Sequence, residues 1–313
     1  MAGFRYYIRT IRGYKERAIG KASKELLYHP QGTPKLSFFL LSSGRSGSTL
    51  LRRMLCMHPS IEIPPESGIA IPEAASTFIR NRKRSWEELA DRTIDVFFSK
   101  EALDAWDLDP SRVKEAVKAL PEGSRNFQGI LDTVYKNYAE PAGSESVEIY
   151  GDKTPILFLW MKWLKLLYPN ALYVFVIRDG RDVVNSMVHR RGLGLTEACD
   201  RWLLAMKMME RYKKDEELNA CFISYERMVK EPQQTLSGLF DRLGVEDRSE
   251  EPRFFEGISY ELGDTVLPHH TKAKRKVDAR NIGLWKKELG KEDRRIMGEK
   301  LDATLKKWGY SSD

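Results

Sequence analysis

The sequence predicts an α/β fold in which helices cover both faces of a parallel β-sheet. Short apolar runs typical of buried strands alternate along the chain with longer runs at helical spacing. Two of the short runs, 36–41 and 172–177, each end in a polar turn that leads directly into a helix. Parallel strands require crossovers of this kind, so both units fit one sheet.

The chain of 313 residues is long enough for one large domain or two average ones. We expect one domain over 31–313 that carries a helical insertion at 70–150, between the two strand–turn–helix units. Residues 1–30 form a basic amphipathic N-terminal segment, with an apolar stripe surrounded by arginine and lysine. Such a segment more often packs on its domain than on a membrane, so weak peripheral membrane contact is kept as the minor hypothesis.

The other elements follow from periodicity, caps and breakers. We expect helices over 85–108, 109–120, 127–139, 156–168 and 232–244, around Trp202 and at the carboxyl end, and a short strand at 221–225. Asp109 or Ser111 would cap the second helix. The stretches 58–74 and 141–155 contain clustered Pro, Gly or Ser, so we expect loops there.

Composition restricts the function classes. The net charge of +7 favours an acidic ligand such as a phosphate or sulfate. The three cysteines form no C-x-x-C pair and no cluster with histidine at metal-ligand spacing, so we expect free thiols and no metal. The sequence shows no run of transmembrane length, no signal-peptide core and no glycosylation sequon, and we expect a cytoplasmic protein.

The turn after the first strand predicts an anion site. Its glycines allow close backbone approach, and its hydroxyls add donors at a helix N-terminus; the turn comprises Gly44, Arg45, Ser46, Gly47, Ser48 and Thr49. In the register of the nucleotide-binding pattern G-x-x-x-x-G-K-[ST], Ser42 replaces the first glycine and Ser48 replaces the lysine. The fold expected is thus a P-loop-type sheet without the usual lysine, and an unliganded turn remains open at this point.

Four segments in the same order resemble the sulfotransferases that use 3′-phosphoadenosine 5′-phosphosulfate (PAPS). The segment 44–50 resembles the family's 5′-phosphosulfate loop, and Arg178 with Ser186 resembles its 3′-phosphate site. Ser224-Tyr225-Glu226 followed by Glu231-Pro232 resembles the segment whose Tyr contacts adenine, and 281–286 (NIGLWK) resembles the G-x-W-[KR] segment that closes over the nucleotide. The resemblance extends from about Lys35 to Leu289 and is weak between 70 and 145.

The resemblance implies a donor site, with PAPS as donor, its bisphosphate (PAP) as product and no metal. The implied nucleotide ligands are Gly44, Arg45, Ser46, Gly47, Ser48, Thr49, Arg178, Ser186, Tyr225, Arg280, Asn281 and Gly283. Trp285 is expected to pack in the core rather than stack on the base.

The catalytic residues implied are Glu66, Lys153 and Arg45. The cytosolic small-molecule members use a His in K-x-H as base, but Pro155 occupies that position here. Glu66, on the loop after the first helix, resembles the Glu base of tyrosylprotein and related bacterial sulfotransferases. Lys153 and Arg45 would stabilise the leaving group, with Asp152 orienting Lys153 or an acceptor hydroxyl; Glu62 and Glu73 are the competing carboxylates.

The acceptor stays open at this point. A hydroxyl of a carbohydrate, a peptide tyrosine, a lipid or a small molecule would bind between Glu66 and Lys153, under a lid built from 70–150. We expect no nucleic-acid partner and a monomer or homodimer. Two alternatives remain: a P-loop kinase, and a non-catalytic polyanion-binding module that uses 1–30 and the basic run 272–276 beside His269 and His270.

Overall fold

A five-stranded parallel sheet organises the computed structural model, which describes residues 36–139, 147–254 and 279–311. The strands are β1 (Leu36–Ser42), β2 (Ile61–Glu62), β3 (Ile149–Asp152), β4 (Leu172–Ile177) and β5 (Ala220–Ser224). Their order across the sheet is β2-β3-β1-β4-β5, and every neighbouring pair is parallel. The predicted fold class is confirmed.

Helices connect the strands and cover the sheet. They are α1 (Ser48–Leu55), α2 (Ala70–Asn81), α3 (Trp86–Phe98), α4 (Pro110–Lys118), α5 (Phe127–Ala139), α6 (Met161–Leu167), α7 (Gly180–Arg191), α8 (Leu195–Lys213), α9 (Tyr225–Lys230), α10 (Pro232–Leu243), α11 (Trp285–Glu288) and α12 (Lys291–Lys307). Short 3₁₀ helices lie at Glu101–Trp106, Glu122–Ser124, Pro155–Trp160 and Pro252–Phe254.

Strand β1 lies at the centre of the sheet and contributes side chains to the hydrophobic clusters on both faces of the sheet. Phe39 and Leu41 belong to one buried cluster, whereas Phe38 and Leu40 belong to a second cluster on the opposite face. This alternation follows from the two-residue period of a strand whose two faces are both covered. Because β1 is held between β3 and β4, the turn at its end has a fixed position.

Strand β3 corrects the expectation of a loop over 141–155. Gly151 pairs with Phe38 of β1, and a Cβ atom at Gly151 would lie 2.3 Å from the Phe38 ring. Glycine is therefore needed for the two strands to pack side by side. One of the residues that made the segment resemble a loop, Gly151, is what allows 149–152 to be a strand.

Helix α2 corrects the other predicted loop, since it begins at Ala70 within 58–74. Pro72 lies in its first turn, where a missing backbone N–H costs no helical hydrogen bond. The predicted helices over 109–120 and 127–139 are present, and Asp109 caps α4 by accepting from the Ser111 backbone N–H. The predicted helix over 85–108 is divided, because α3 ends at Phe98 and a 3₁₀ helix follows at Glu101–Trp106. The predicted helix over 156–168 is divided between a 3₁₀ turn and α6.

Some of the residues singled out in the sequence cannot be placed in the fold. The segment 1–30, His269, His270 and the run 272–276 all lie outside the described residues. Of the helices within the described ranges, none combines the length and apolar character that a membrane crossing needs. All three cysteines are free thiols, with Cys199 buried.

Candidate active site

The carboxyl ends of three neighbouring strands bring the candidate residues to one edge of the sheet. The turn 43–47 follows β1, Lys153 follows β3, and Arg178 follows β4. Because β3, β1 and β4 are adjacent and parallel, these three segments meet where ligands of open α/β sheets bind.

The turn between β1 and α1 forms a cradle of backbone amides. Gly44, Arg45 and Gly47 have positive φ values of 77°, 56° and 93°. A turn of this kind presents successive backbone N–H groups to an anion, and α1 begins immediately after it with no acidic residue in its first turn. This geometry suits an anion.

Gly47 is required for a close contact as well as for its φ. A Cβ atom there would lie 2.4 Å from the Tyr225 ring, which is itself only 5% exposed. The Arg178 guanidinium lies over the same ring, 4.3 Å from the ring centroid. Tyr225 therefore links the turn to Arg178.

Arg178 is held by backbone groups on both sides of the site. Its Nη1 donates to the Arg45 carbonyl at 3.3 Å, and its Nη2 donates to the Asn281 carbonyl at 2.5 Å. Its Nε is buried and has no hydrogen-bond partner among the described residues, and its Nη2 lies 3.5 Å from Asp182 Oδ2. Arg178 is thus a fixed cation with a spare donor.

Ser186 lies against Arg45, whereas the sequence paired it with Arg178. Arg45 Nε donates to Ser186 Oγ at 3.0 Å. Burial first, and then the nearby charges of Arg191, Arg190 and Arg178, together lower the pKa of Arg45 to about 10, while Glu66 acts in the opposite direction. Because these four arginines lie close together, the space between the turn and α7 favours binding of an anion.

Arg190 and Arg191 are the site residues that the sequence analysis missed. Both are exposed in the last turn of α7, and their positive charges are close enough to Arg45 to lower its pKa. A signal was present, because Arg190 follows Ser186 by four residues and i,i+4 side chains share a helix face.

The segment after residue 279 reaches the site mainly through its backbone. Asp182 accepts from the Gly283 N–H at 2.8 Å and from the Trp285 N–H at 3.3 Å. Burial raises the pKa of Asp182, against which Arg178 and these two N–H groups act. Trp285 is 7% exposed, which confirms it as a core residue, while Arg280 is exposed.

Glu66 and Lys153 form an ion pair beside the turn. Lys153 Nζ donates to Glu66 Oε1 at 2.9 Å and to Thr49 Oγ1 at 3.4 Å. The Lys153 side chain is fully buried, whereas that of Glu66 is 34% exposed. Lys153 thus supplies, from the neighbouring strand β3, the cation that the turn itself lacks at Ser48.

The other carboxylates are engaged elsewhere. Glu62 accepts from the Ile63 N–H at 3.2 Å, and Glu73 pairs with Lys100. Asp152 is fully buried and accepts from the Ser67 and Tyr135 hydroxyls. The expectation that Asp152 orients an acceptor hydroxyl is therefore wrong, because a buried carboxylate with these partners does not face an incoming molecule. Within the described ranges no group of three or more His, Cys, Asp or Glu side chains is arranged to hold a metal.

Solved structures share this fold. The sulfotransferase domain of the curacin biosynthetic pathway covers 90% of this chain and 99% of its own length at a TM-score of 0.58 and 23% identity. The sulfotransferase domain of the Synechococcus PCC 7002 olefin synthase covers 88% of this chain and 98% of its own, at a TM-score of 0.55 and 20% identity.

Curated relatives are similar over part of their length. Protein-tyrosine sulfotransferase 2 of Gallus gallus is 27% identical over 209 residues, which are 64% of this chain and 49% of that protein. Nodulation protein NoeE of Sinorhizobium fredii is 25% identical over 299 residues, which are 85% of this chain and 64% of that protein. The chain thus spans about half to two thirds of the length of these relatives.

The family model of the sulfotransferase family matches residues 37–249. The match begins within β1 and ends beyond α10, so it includes the turn, Glu66, Lys153 and Arg178. It covers more than half of the 313 residues. The chain belongs to the sulfotransferase family.

Proposed function

We propose that this protein is an O-sulfotransferase that moves the sulfuryl group of PAPS onto an acceptor hydroxyl. The observation that carries the proposal is the position of Lys153. Its buried ammonium lies between the Glu66 carboxylate, at 2.9 Å, and Thr49 of the anion cradle, at 3.4 Å. A proton acceptor, a cation and an anion site in contact are the groups that sulfuryl transfer needs.

Glu66 acts on the acceptor hydroxyl, whereas Lys153, Arg45 and the turn act on the leaving phosphate. Glu66 takes the proton of the acceptor hydroxyl as the acceptor oxygen bonds to sulfur. The bond between sulfur and the 5′-phosphate oxygen breaks, and its electron pair stays on that phosphate. Lys153, Arg45 and the amides of the turn stabilise the charge that develops there.

The ion pair couples these two roles. While Glu66 is charged, it holds the Lys153 ammonium at 2.9 Å. Once Glu66 is protonated, its attraction for Lys153 falls and the ammonium is released toward the phosphate beside Thr49. Glu66 can then return its proton to water, because its side chain is 34% exposed.

The donor's phosphates fit the two cationic parts of the site. The cradle at Gly44, Arg45 and Gly47 would hold the 5′-phosphosulfate, with hydroxyls from Ser48 and Thr49. Ser46 would act through its backbone N–H, because its buried hydroxyl bonds Ser43 Oγ and the Gly44 carbonyl. Arg178, whose buried Nε has no partner among the described residues, would hold the 3′-phosphate together with Ser186 and Arg190. Tyr225, Arg280, Asn281 and Gly283 complete the proposed nucleotide site. The Asn281 carbonyl and the Gly283 N–H act indirectly, because they hold Arg178 and Asp182 in place.

The acceptor would enter on the exposed side of Glu66, next to the helices of 70–139. Trp106 supports this placement, because its Nε1 donates to the Pro65 carbonyl, next to Glu66, at 3.1 Å. The acceptor class remains a hydroxyl of a peptide tyrosine, carbohydrate, lipid or small molecule. A cytoplasmic location also remains part of the proposal, supported by three free cysteines.

Calorimetric titration tests the donor directly. The protein is titrated with adenosine 3′,5′-bisphosphate, adenosine 5′-phosphate, and ATP with and without Mg²⁺. The proposal predicts metal-independent binding that is tightest for the bisphosphate. Preference for Mg-ATP would indicate a kinase instead, and equal weak binding of all anions that disappears with salt would indicate a polyanion-binding module.

A further inference from the structure

A buried hydrogen-bond network lies directly beneath Glu66 and Lys153. Ser67 Oγ donates to Asp152 Oδ2 at 2.9 Å, and the Tyr135 hydroxyl donates to the same oxygen at 2.6 Å. The Ser67 backbone N–H donates to Thr154 Oγ1 at 2.8 Å, and the Ser67 and Thr154 hydroxyl oxygens lie 2.9 Å apart. Ser67, Asp152, Thr154 and Tyr135 are all fully buried.

The donors of this network converge on Asp152. The Ser67 hydroxyl gives its one proton to Asp152 Oδ2, and the Thr154 hydroxyl has two acceptors within reach, Ser67 Oγ and the Asp152 carboxylate. Asp152 then acts only as an acceptor, which is the role of a carboxylate. Burial raises the pKa of Asp152, while the hydrogen bonds and the charge of Lys153 act against that rise. The other Asp152 oxygen, Oδ1, is buried and has no hydrogen-bond partner among the described residues, so the two bonds to Oδ2 are what fix Asp152 in the network.

The network joins the two segments that carry the proposed catalytic pair. Ser67 follows Glu66 in the chain, and Asp152 and Thr154 flank Lys153. Each hydrogen bond between Ser67 and Asp152 or Thr154 therefore fixes the backbone of one catalytic segment against the other. We call these hydrogen bonds between Ser67 and Asp152 or Thr154 the joint. Glu66 and Lys153, which are 2.9 Å apart, are the sequence neighbours of the residues that form it.

Tyr135 connects the joint to the proposed acceptor side. It lies on α5, and its ring makes an edge contact with Trp106 at a centroid distance of 5.2 Å. Trp106 in turn donates to the Pro65 carbonyl, immediately before Glu66. Helices of the 70–139 region thus hold the Glu66 loop from two directions.

We propose that Ser67, Asp152 and Tyr135 are positioning residues that hold Glu66 opposite Lys153, an inference that rests on the proposed function. They act through Glu66 and do not touch donor or acceptor. A displacement of about 1 Å at a reacting group can cost about 10²-fold in rate. The competing explanation is that the network only stabilises the core.

The test compares two tyrosines. Tyr135→Phe removes the hydroxyl that bonds Asp152 and keeps the ring against Trp106. Tyr168→Phe is the matched control, because Tyr168 is also fully buried but its hydroxyl has no hydrogen-bond partner in the described part of the chain. We expect Tyr135→Phe to lower kcat roughly 10- to 100-fold with unchanged donor KM and bisphosphate Kd, and Tyr168→Phe to leave all three unchanged.

A second comparison separates positioning from stability. In a Glu66→Gln background, Tyr135→Phe should cause no further loss of kcat, because its effect passes through the Glu66 carboxylate. An equal loss in both backgrounds, or wild-type kcat in folded Tyr135→Phe, overturns the proposal. If Tyr135→Phe does not fold, Ser67→Ala takes its place in both comparisons.

Crystal structures of the variants give a readout that does not depend on activity. The Glu66–Lys153 contact should be lost or lengthened in Tyr135→Phe and retained in Tyr168→Phe, whereas retention in both overturns the positioning role. If the wild type transfers no sulfuryl group to any acceptor, the proposed function fails, and this structural comparison still decides whether the network holds the pair.

Discussion

Gly47→Ala tests the link between the anion cradle and Arg178. The added Cβ would lie 2.4 Å from Tyr225 Cδ2 and 2.9 Å from Cε2. Ordinary contact begins near 3.4 Å, so the ring must move by about 1 Å. Arg178 lies 4.3 Å over that ring, and it must follow or lose its support.

Gly47→Ala should lower both the folding stability and the affinity for the bisphosphate. The φ of 93° at Gly47 costs a non-glycine residue roughly 1–2 kcal/mol of folding stability. Displacing Arg178 removes a charge-assisted hydrogen bond to the ligand, worth about 1.5–3 kcal/mol. Bisphosphate affinity should therefore fall by roughly 10- to 150-fold.

Gly244→Ala is the matched control for backbone strain. Gly244 has a φ of 70° at the end of α10, and a Cβ there would meet no atom within 4 Å. Both variants should lose stability in chemical denaturation, Gly47→Ala more than Gly244→Ala because its Cβ also displaces the Tyr225 ring, but only Gly47→Ala should lose bisphosphate affinity in calorimetry. Equal affinity in the two variants would refute the role assigned to the Gly47–Tyr225–Arg178 contact.

The remaining predictions concern single charges. Lys153→Met should lower kcat by about 10²–10³-fold with little change in bisphosphate Kd, because one stabilising donor of the transition state is lost; single-turnover kinetics measures this, and an unchanged rate would remove Lys153 from the reaction. Arg178→Ala should weaken binding of adenosine 3′,5′-bisphosphate much more than that of adenosine 5′-phosphate, as compared by calorimetry. The same loss for both nucleotides would place Arg178 away from the 3′-phosphate.

The sheet and the anion turn were predictable because their signals are local. The apolar run of β1, the glycines at 44 and 47 and the following helix lie within twenty consecutive residues. The same holds for β4 and Arg178. Local patterns of this kind reflect backbone conformation and strand burial, which neighbouring residues largely determine.

The missed features depend on contacts between distant segments. Strand β3 contains Gly151, which is unfavourable in a strand until the Phe38 ring of β1 occupies its side. The Lys153–Thr49 contact joins residues 104 positions apart, and the Tyr135–Asp152 bond depends on how α5 packs on the sheet. Such pairs are fixed by tertiary packing, which no sequence period reports.

Transfer of ³⁵S from labelled PAPS tests the central claim most directly. Wild type and Glu66→Gln are each assayed with a tyrosine-containing peptide, an oligosaccharide, a fatty alcohol and a phenol. Wild type should label at least one hydroxyl without added metal, and Glu66→Gln should bind the bisphosphate equally well but transfer about 10²–10⁴-fold more slowly. No labelling by wild type, or equal rates for the two proteins, would contradict the account.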